Sequence, residues 1–555
     1  MTQKLKKYIL IVSITLASVF SVGFVDSYFE VSKNLDIFAT LFRELNIYYV
    51  DDTDPGELMK TGIDAMLESL DPYTNYIPES NIEDYKLMTT GQYGGIGALI
   101  QQHGEHVVIS EPYEGFGAYK AGLWAGDRLL KIDGKDVTDK STSEIRDLLL
   151  GQPGTTLNIT VERPGTEEPI EKKVVREEVK IDDVPYYKMY SNDIGYIKLN
   201  GFTESAGAEV KAAFTKLKEQ NAKSLILDLR GNGGGLMKEA IDIVNYFVPK
   251  GSEVVSTKGK ISDWDKVYKA TAMPIDTEIP IVVLIDEMSA SASEIVSGAL
   301  QDHDRAVIIG NRSFGKGLVQ QVRPLSYNSK LKVTVAKYYT PSGRCIQKLD
   351  YSHKDEDGKV NAIPDSLIRE FKTLKTYRPV FDGMGIEPDI KVEKKEISDI
   401  ATSLYLKNHL FDYATDFKLK NNAIPEVDAF TISDEEYEKF VKFLEGKDYD
   451  YTTDSEALLE KLEKAAKADK YFKSLENEYN ALLNKLKHNK EEDLYTFKEE
   501  IKYILETEIA TRYYYQKGKM EASLKTDPVM EKAIEVLSDK QKYDAIFAGN
   551  NTKQD

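Results

Sequence analysis

What the 555-residue chain lacks narrows its chemistry first. It has one cysteine, Cys345, which excludes an intramolecular disulfide and a cysteine-rich zinc site. Its six histidines form no HExxH pattern, so no metal and no cofactor is expected. Positive charge is in deficit: 73 Lys and Arg stand against 92 Asp and Glu, a net charge of −19. That excludes sequence-independent nucleic-acid binding, which needs a basic face. The glycine-rich stretch at residues 231–235 lacks the Lys-Ser/Thr that completes a Walker A loop, so no phosphate cradle is expected there. The chain is too long for a single hydrophobic core and implies several domains.

The N-terminus carries a long apolar run. Lys4, Lys6 and Lys7 precede Tyr8 to Val25, and Asp26 ends the run. The pattern is that of a secretory signal or a signal anchor, close to the minimum length for spanning a bilayer. The lysines would hold that end in the cytoplasm. The expected location is the bacterial cell envelope, on the periplasmic side, anchored in the inner membrane or released by cleavage before Phe24. Membrane contact is expected only through this segment.

The densest chemistry lies between Ile281 and Gln320. An apolar run to Ile285 reads as a strand buried on both faces. Ser289, Ser291 and Ser293 follow, separated by alanines, and then a helical pattern with Ile295, Val296, Ala299 and Leu300 on one side. Ser293, or a residue slightly earlier, caps that helix. Backbone N–H groups at a helix start can stabilise an oxyanion. A short strand from Val307 leads to Ser313-Phe314-Gly315-Lys316-Gly317, a lysine between glycines. A serine at a helix start and a lysine close behind suggest a Ser–Lys hydrolase.

Read in order, residues 30–88 look helical, with Ile63, Met66, Leu67 and Leu70 on one face, broken at Asp71-Pro72-Tyr73-Thr74. Such a module buries little alone, and a homodimer is expected. The glycine loop Tyr93-Gly94-Gly95-Ile96-Gly97 opens the next unit. Short strands, a short helix near Ala118 to Leu123, the stretch AGLWAGDRLLKIDG and a second helix from Ser143 to Leu150 resemble a PDZ domain over residues 92–180. Consecutive N–H groups of a glycine-rich turn form a concavity that holds a peptide's terminal carboxylate. The peptide adds as a strand beside the sheet edge. Ile96, Leu99 and Leu148 are expected to line the pocket and select an apolar C-terminus.

From Gly195 onward strands and helices alternate, the pattern of an α/β layered core. Ligands in such folds sit beyond the C-terminal ends of the strands, where both Ser291 and the 231–235 loop fall. Leu331 to Tyr339 alternates as a long strand, and Ile390 to Val392 reads as the closing one. Beyond about 395 glycine becomes rare and Glu/Lys pairs at helical spacing dominate. Amphipathic helices packed on the core are expected there.

DPYTNYI, YGGIGA, LDLRGNGGGL, SASASEIVSGALQD, SFGKGLVQ and YYTPSGR occur in this order. Together they make the chain resemble the C-terminal processing peptidases, or tail-specific proteases, over residues 35–395. The resemblance implies a Ser–Lys dyad of Ser291 and Lys316, with Gln320 as third member. It implies a multidomain α/β (α+β) fold: a crotonase-like layered protease core with an inserted PDZ domain. The expected divisions are 1–25 signal or anchor, 26–91 helical module, 92–180 PDZ domain, 181–395 peptidase core and 396–555 helical domain.

The physics asks for these residue types. A serine hydroxyl needs a base within hydrogen-bond reach. Lysine accepts a proton only when neutral, and burial favours that form. Gln320 can orient the amine without stabilising the ammonium as a carboxylate would. Expected oxyanion donors are the amides of Ala292 and of Gly233 or Gly234. His303 and Cys345 are not expected to act. Met288, larger than expected before the serine cluster, touches on the shape of the cleft. The expected partners are proteins with apolar C-termini. The rival of another class is a catalytically silent envelope scaffold that binds C-termini; an acyl-CoA enzyme of the crotonase type is more remote.

Overall fold

The computed structural model describes residues 29–190, 193–355, 358–393, 396–486 and 490–548. The expected signal segment lies outside them. Among the described residues no helix is long and apolar enough to cross a membrane. The chain forms two compact units. One takes in residues up to Tyr76 with the pieces Val322–Leu325 and Lys330–Val333, and the other takes in the rest.

The smaller unit contains α1 (29–48) and α2 (Pro55–Glu68). Asp54 starts α2 by accepting the Gly56 and Glu57 amides, with Pro55 in the first turn. Of the apolar stripe expected on α2, Leu67 is buried while Met66 and Leu70 are exposed. On α1, Phe29, Leu35, Ile37, Leu41 and Ile47 are all exposed. Asp71 breaks the helix as expected, accepting the Tyr73 and Thr74 amides. β1 (Asn75–Ile77) follows.

The larger unit opens with α3 (Ile82–Thr90) and β2 (Gln92–Gly95). Then come β3 (Ala98–His103), β4 (His106–Pro112), α4 (Gly117–Lys120), β5 (Arg128–Ile132), β6 (Lys135–Asp136), α5 (Thr142–Leu149), β7 (Thr156–Glu162), β8 (Ile170–Val175) and β9 (Glu177–Lys180). The sheet runs β3–β4–β5–β7–β8, so β3 is an edge strand; β2 pairs separately with β9. Ile109, Leu129, Ile145, Ile159 and Val161 form its core.

The next layer comprises β10 (Tyr186–Tyr190), β11 (Ile194–Lys198), α6 (Ala206–Glu219), β12 (Ser224–Asp228), α7 (Met237–Asn245), β13 (Glu253–Gly259), β14 (Lys266–Lys269), β15 (Ile281–Ile285), α8 (Ala292–Asp302) and β16 (Val307–Gly310). β17 (Leu318–Pro324), β18 (Lys330–Tyr339), two small pairs of β19 (Leu349–Lys354) with β20 (Val360–Ala362) and β21 (Glu370–Lys372) with β22 (Pro379–Phe381), and β23 (Ile390–Lys391) complete it. The main sheet has the order β10–β11–β12–β15–β16–β23 and is parallel except at β10. All five residues of β11, β12 and β15 are buried, as parallel strands covered on both faces require. Helices α6, α7 and α8 cover one face through Val210, Phe214, Ile243, Val296 and Ala299.

The other face is covered by the C-terminal region. It contains α9 (Asp399–Leu406), α10 (His409–Lys420), α11 (Asp434–Phe443), α12 (Asp454–Ala468), α13 (Phe472–Leu486), α14 (Lys490–Thr496), α15 (Lys498–Ser523), α16 (Pro528–Ser538) and α17 (Lys540–Phe547). Met530, Ala533, Val536 and Ile546 lie on Val282, Leu284, Val307 and Ile309. The Tyr543 hydroxyl donates to the Ile281 carbonyl at 3.1 Å and accepts its N–H at 2.9 Å. α10, α11, α14 and α15 build a separate core around Leu410, Tyr413, Phe440 and Leu505. The same helices reach the PDZ-like sheet: Asp412 meets His103 Nε2 at 2.7 Å and Gln516 donates to Glu111 at 2.6 Å.

Candidate active site

The helix after β15 begins earlier than Ser293. Ser291 is its N-cap, at φ 54° and ψ −108°. That backbone region favours glycine, and a serine held there costs about 1–3 kcal/mol. Four bonds hold it: the Ser291 N–H donates to Glu294 Oε2 at 2.8 Å, and its carbonyl accepts the Glu294 and Ile295 N–H groups, both at 2.9 Å, and the Tyr338 hydroxyl at 3.2 Å. The Ser291-x-x-Glu294 spacing is the sequence signal of a cap at this position, and with it Glu294 becomes a site residue that the serine cluster alone did not reveal.

Every residue of α8 is buried, including its polar ones, where an amphipathic helix was expected. Burial of polar groups is tolerated because each has partners. Ser293 Oγ donates to the Asn232 carbonyl at 2.9 Å, and Ser297 Oγ to the Ser293 carbonyl at 2.8 Å. Gln301 donates to the Glu387 carbonyl, and Asp302 is paired with Arg344 at 2.8 Å with both side chains fully enclosed.

Glu294 gathers the two candidate catalytic segments. Its Oε1 accepts the Ser313 hydroxyl at 2.6 Å and the Gly315 N–H at 2.7 Å. Its Oε2 accepts the Ser291 N–H at 2.8 Å and the Lys316 N–H at 2.9 Å. One carboxylate oxygen therefore ties the serine and lysine main chains together. Burial pushes the Glu294 carboxyl up, and these four donors only partly pull it back. The Phe314 N–H adds a bond to the Ser289 carbonyl at 3.0 Å. Gly315 has φ +89°, and a Cβ there would lie 2.6 Å from the Cβ of Lys348. A glycine is what lets this segment tuck in, leaving Lys316 half-buried. Gln320 sits on β17 and donates from Nε2 to Thr334 Oγ1 at 3.2 Å.

The loop after β12 abuts the serine. A Cβ on Gly234 would lie 2.7 Å from the Ala290 carbonyl oxygen and 2.9 Å from Ser291 Cβ. Asn232 organises the loop. Its Nδ2 donates to the Leu199 carbonyl at 2.9 Å, its Oδ1 accepts the Gly234 N–H at 2.9 Å, and its carbonyl accepts the Ala290 N–H at 3.0 Å. The Gly234 amide is thus engaged within the loop, whereas that of Gly233 makes no hydrogen bond among the described residues. The Ala292 amide, first in its helix, has no intrahelical acceptor.

The rival residues sit in supporting places. Ser289 is buried and its Oγ donates to the Leu229 carbonyl at 2.8 Å. His303 ends α8 with Nε2 at 2.6 Å from the Glu253 carbonyl. Burial pushes the Cys345 thiol up, away from reactivity. Met288 is exposed.

The PDZ-like part carries a groove of about 590 Å³ beside edge strand β3 and helix α5. Tyr93, Gly94 and Ile96 face it, as do Leu99 and Leu149. Leu148, expected in this lining, does not face the groove, where Leu149, one helical position on, stands instead; both leucines also pack with the domain core. Gly95 is paired with Glu177 in the β2–β9 ladder, and Gly97 lies against Phe116. Arg146 on the groove's rim is bonded to Asp84 at 2.6 Å. Among the described residues no hydrogen bond of the Tyr93–Gly97 stretch reaches the serine cluster; Tyr93 to Gly95 pair with β9, beside the groove.

Comparison with known proteins agrees with this layout. Residues 193–353 match the model of Peptidase family S41, 108–163 that of a PDZ domain, and 400–537 that of a Probable PDZ-protease, C-terminal helical domain. A Carboxy-terminal-processing protease of Bartonella bacilliformis is 40% identical over 319 residues, covering 57% of this chain and 73% of that protein. A Probable CtpA-like serine protease of Staphylococcus aureus is 31% identical over 369 residues, covering 64% and 73%. The solved photosystem II D1 C-terminal processing protease is 28% identical over 64% of this chain and 92% of that one, with a TM-score of 0.35.

Proposed function

The chain belongs to peptidase family S41 and is a serine-type protease, and from that premise we propose that it is an envelope endopeptidase that captures protein C-terminal tails and cuts with a Ser291–Lys316 dyad. The observation that carries the reading is the Glu294 carboxylate, which binds the Ser291 and Lys316 amides on one oxygen. In the reaction the neutral Lys316 amine takes the Ser291 hydroxyl proton as the oxygen attacks the scissile carbonyl. Ala292 and Gly233 donate their free amides to the developing oxyanion. The lysine then protonates the leaving amine, and water resolves the acyl-enzyme by the same path. Gln320 orients the amine.

The tail adds along β3 with its last side chain against Ile96, Leu99 and Leu149, which favours an apolar C-terminus. The exposed apolar face of α1 supports a homodimer. The lysine-flanked run at Tyr8 to Val25 supports an envelope location with the domains on the periplasmic side. Purified wild type should cleave a model substrate ending in an apolar tail. Ser291→Ala and Lys316→Ala should bind it without cutting; equal cleavage by all three would sink the dyad.

A further inference from the structure

Arg230 stands at the root of the loop that carries Gly233, and two carboxylates from different parts of the chain hold it. Asp228, at the end of β12, takes Nε at 3.0 Å and Nη2 at 2.6 Å. Asp527 takes Nη1 at 2.6 Å. Asp228 is enclosed and further bonded to the Tyr196 hydroxyl at 2.8 Å, so its position is set by the sheet. Asp527 belongs to the C-terminal domain and works at both oxygens. Its Oδ1 caps α16 by accepting the Val529 and Met530 amides at 2.9 and 3.2 Å, and its Oδ2 meets the arginine. α16 is itself fixed on β15 and β16 by Val529 and Met530.

Arg230 lines a cavity of about 470 Å³, together with Asp286, Glu500, Tyr503 and Asp527. The Arg230 main chain is tied by its N–H to Asp228 Oδ1 at 2.9 Å and by its carbonyl to Lys198 Nζ, while on the cavity side the guanidinium is held by Asp527. The residues that follow pass the constraint on. The Gly231 N–H is held by Asp286 at 2.9 Å, and Asn232 binds the Ala290 N–H that precedes the serine.

We propose that Asp527 is a positioning residue for hydrolysis: from the C-terminal helical domain it clamps Arg230 and thereby fixes the loop whose amide receives the oxyanion. The inference rests on the reading of Ser291 as nucleophile and the 231–235 loop as its oxyanion donor. It gives the helical domain a part in the chemistry without substrate contact.

The test uses the full chain and the apolar-tailed substrate, with Asp527→Asn as the principal variant. Asparagine caps helices as well as aspartate does, so the start of α16 is kept while the carboxylate charge opposite Arg230 is lost. A displaced rather than deleted donor should lower kcat about tenfold, with KM within twofold. A peptide aldehyde forms a hemiacetal whose oxygen occupies the oxyanion site, so its affinity should weaken in proportion to kcat/KM. Asp527→Glu, which restores the charge, should recover part of the rate. Unchanged kcat in Asp527→Asn overturns the proposal, and so does a loss of kcat that only tracks a fall in the folded fraction, with the remaining enzyme binding the aldehyde normally. Ser291→Ala run beside it separates the two readings. If that variant is dead and Asp527→Asn is fully active, only the positioning role fails; if it still cuts, the nucleophile assignment fails first.

Discussion

Glu294 is the side chain on which the candidate site most depends, and Glu294→Gln isolates its role. The carboxylate accepts four donors from a fully buried position, three of them main-chain amides. Glutamine keeps the shape but replaces one acceptor oxygen with a donor. If its oxygen stays on Ser291 and Lys316, the new NH₂ meets the Ser313 hydroxyl, which can turn and accept, and the Gly315 N–H, which cannot. One buried amide is then opposed, at about 1–3 kcal/mol. The flipped arrangement opposes the Ser291 and Lys316 amides together and costs roughly twice that, so the first is favoured. Gly315 precedes the proposed base, and a displacement of about 1 Å there is enough to cost roughly 10²-fold in rate. The expected outcome is kcat lowered by about 10–10²-fold, KM unchanged and stability reduced by about 1–3 kcal/mol. Glu294→Ala strands all four donors at about 1–3 kcal/mol each, comparable to the whole stability of a domain, and should not accumulate as folded protein. Steady-state cleavage of a fluorogenic peptide with an apolar tail, beside urea unfolding, measures both quantities. A Glu294→Gln enzyme with kcat within twofold of wild type at equal stability would refute the reasoning, since the main-chain ties would then not set the geometry.

Arg344→Met leaves Asp302 enclosed without its ion pair, which should cost about 3–5 kcal/mol in urea unfolding; a loss below about 1 kcal/mol would mean the pair is already hydrated. Leu99→Asp places a charge where the tail's last side chain is proposed to sit, at an exposed position on edge strand β3. It should raise KM about tenfold or more for tailed substrates and leave a tail-less peptide unaffected, and equal effects on both would remove the groove from recognition. Burial raises the Glu111 carboxyl from its ordinary 4.5 to about 7, against the pull of Lys519 and Arg512. Ionising it is therefore harder in the fold, and stability is lost as pH rises from about 4.5 to about 7. Glu111→Gln lacks that penalty, so its advantage over wild type in thermal unfolding should grow across that window, to at most roughly 3 kcal/mol, and then level off; a constant difference from pH 4 to 8 would contradict the raised carboxyl.

The buried strands were the most legible part of the chain. The runs at Ser224–Asp228 and Ile281–Ile285 are apolar without interruption because both faces are covered. Helix ends were less so: the apolar pattern after the glycine loop runs on to Val248, whereas α7 ends at Asn245, because Phe247 and Val248 are buried beyond its last turn. The strands of the small pairs β19–β20 and β21–β22 are only three to six residues long, too short for their alternation to stand out. In the site, the serines and the glycine-flanked lysine stand out by residue type. Glu294 does not, since a glutamate three residues into a helix is ordinary until its cap is assigned to Ser291. The Arg230–Asp527 contact joins residues hundreds of positions apart, and no local pattern encodes it.

The arrangement of the site follows from sheet order. β12, β15 and β16 are consecutive and parallel, with Asp228 opposite Leu284 and Ile285 opposite Gly310. Neighbouring strands lie about 4.8 Å apart, so the segments leaving their C-terminal ends must emerge side by side. Those segments are the glycine loop at 230–235, the turn into Ser291 and the chain running to Lys316. The register thus delivers the proposed oxyanion donor, nucleophile and base to one edge before any side chain is chosen. What remains is fine adjustment, and it falls to buried polar groups that cross between the segments: Asn232 from the first to the second, Glu294 from the second to the third. Three of the crossing bonds are made to main-chain amides, those of Ala290, Gly315 and Lys316. Such a site tolerates variation in the exposed residues around it, Met288 and Phe314 among them, and is sensitive at positions that never touch substrate. α16 and α17 belong to the same logic. By covering Val282, Leu284, Val307 and Ile309 they close the second face of the strands whose register places the chemistry, which makes the helical domain part of the catalytic scaffold rather than an appendage to it.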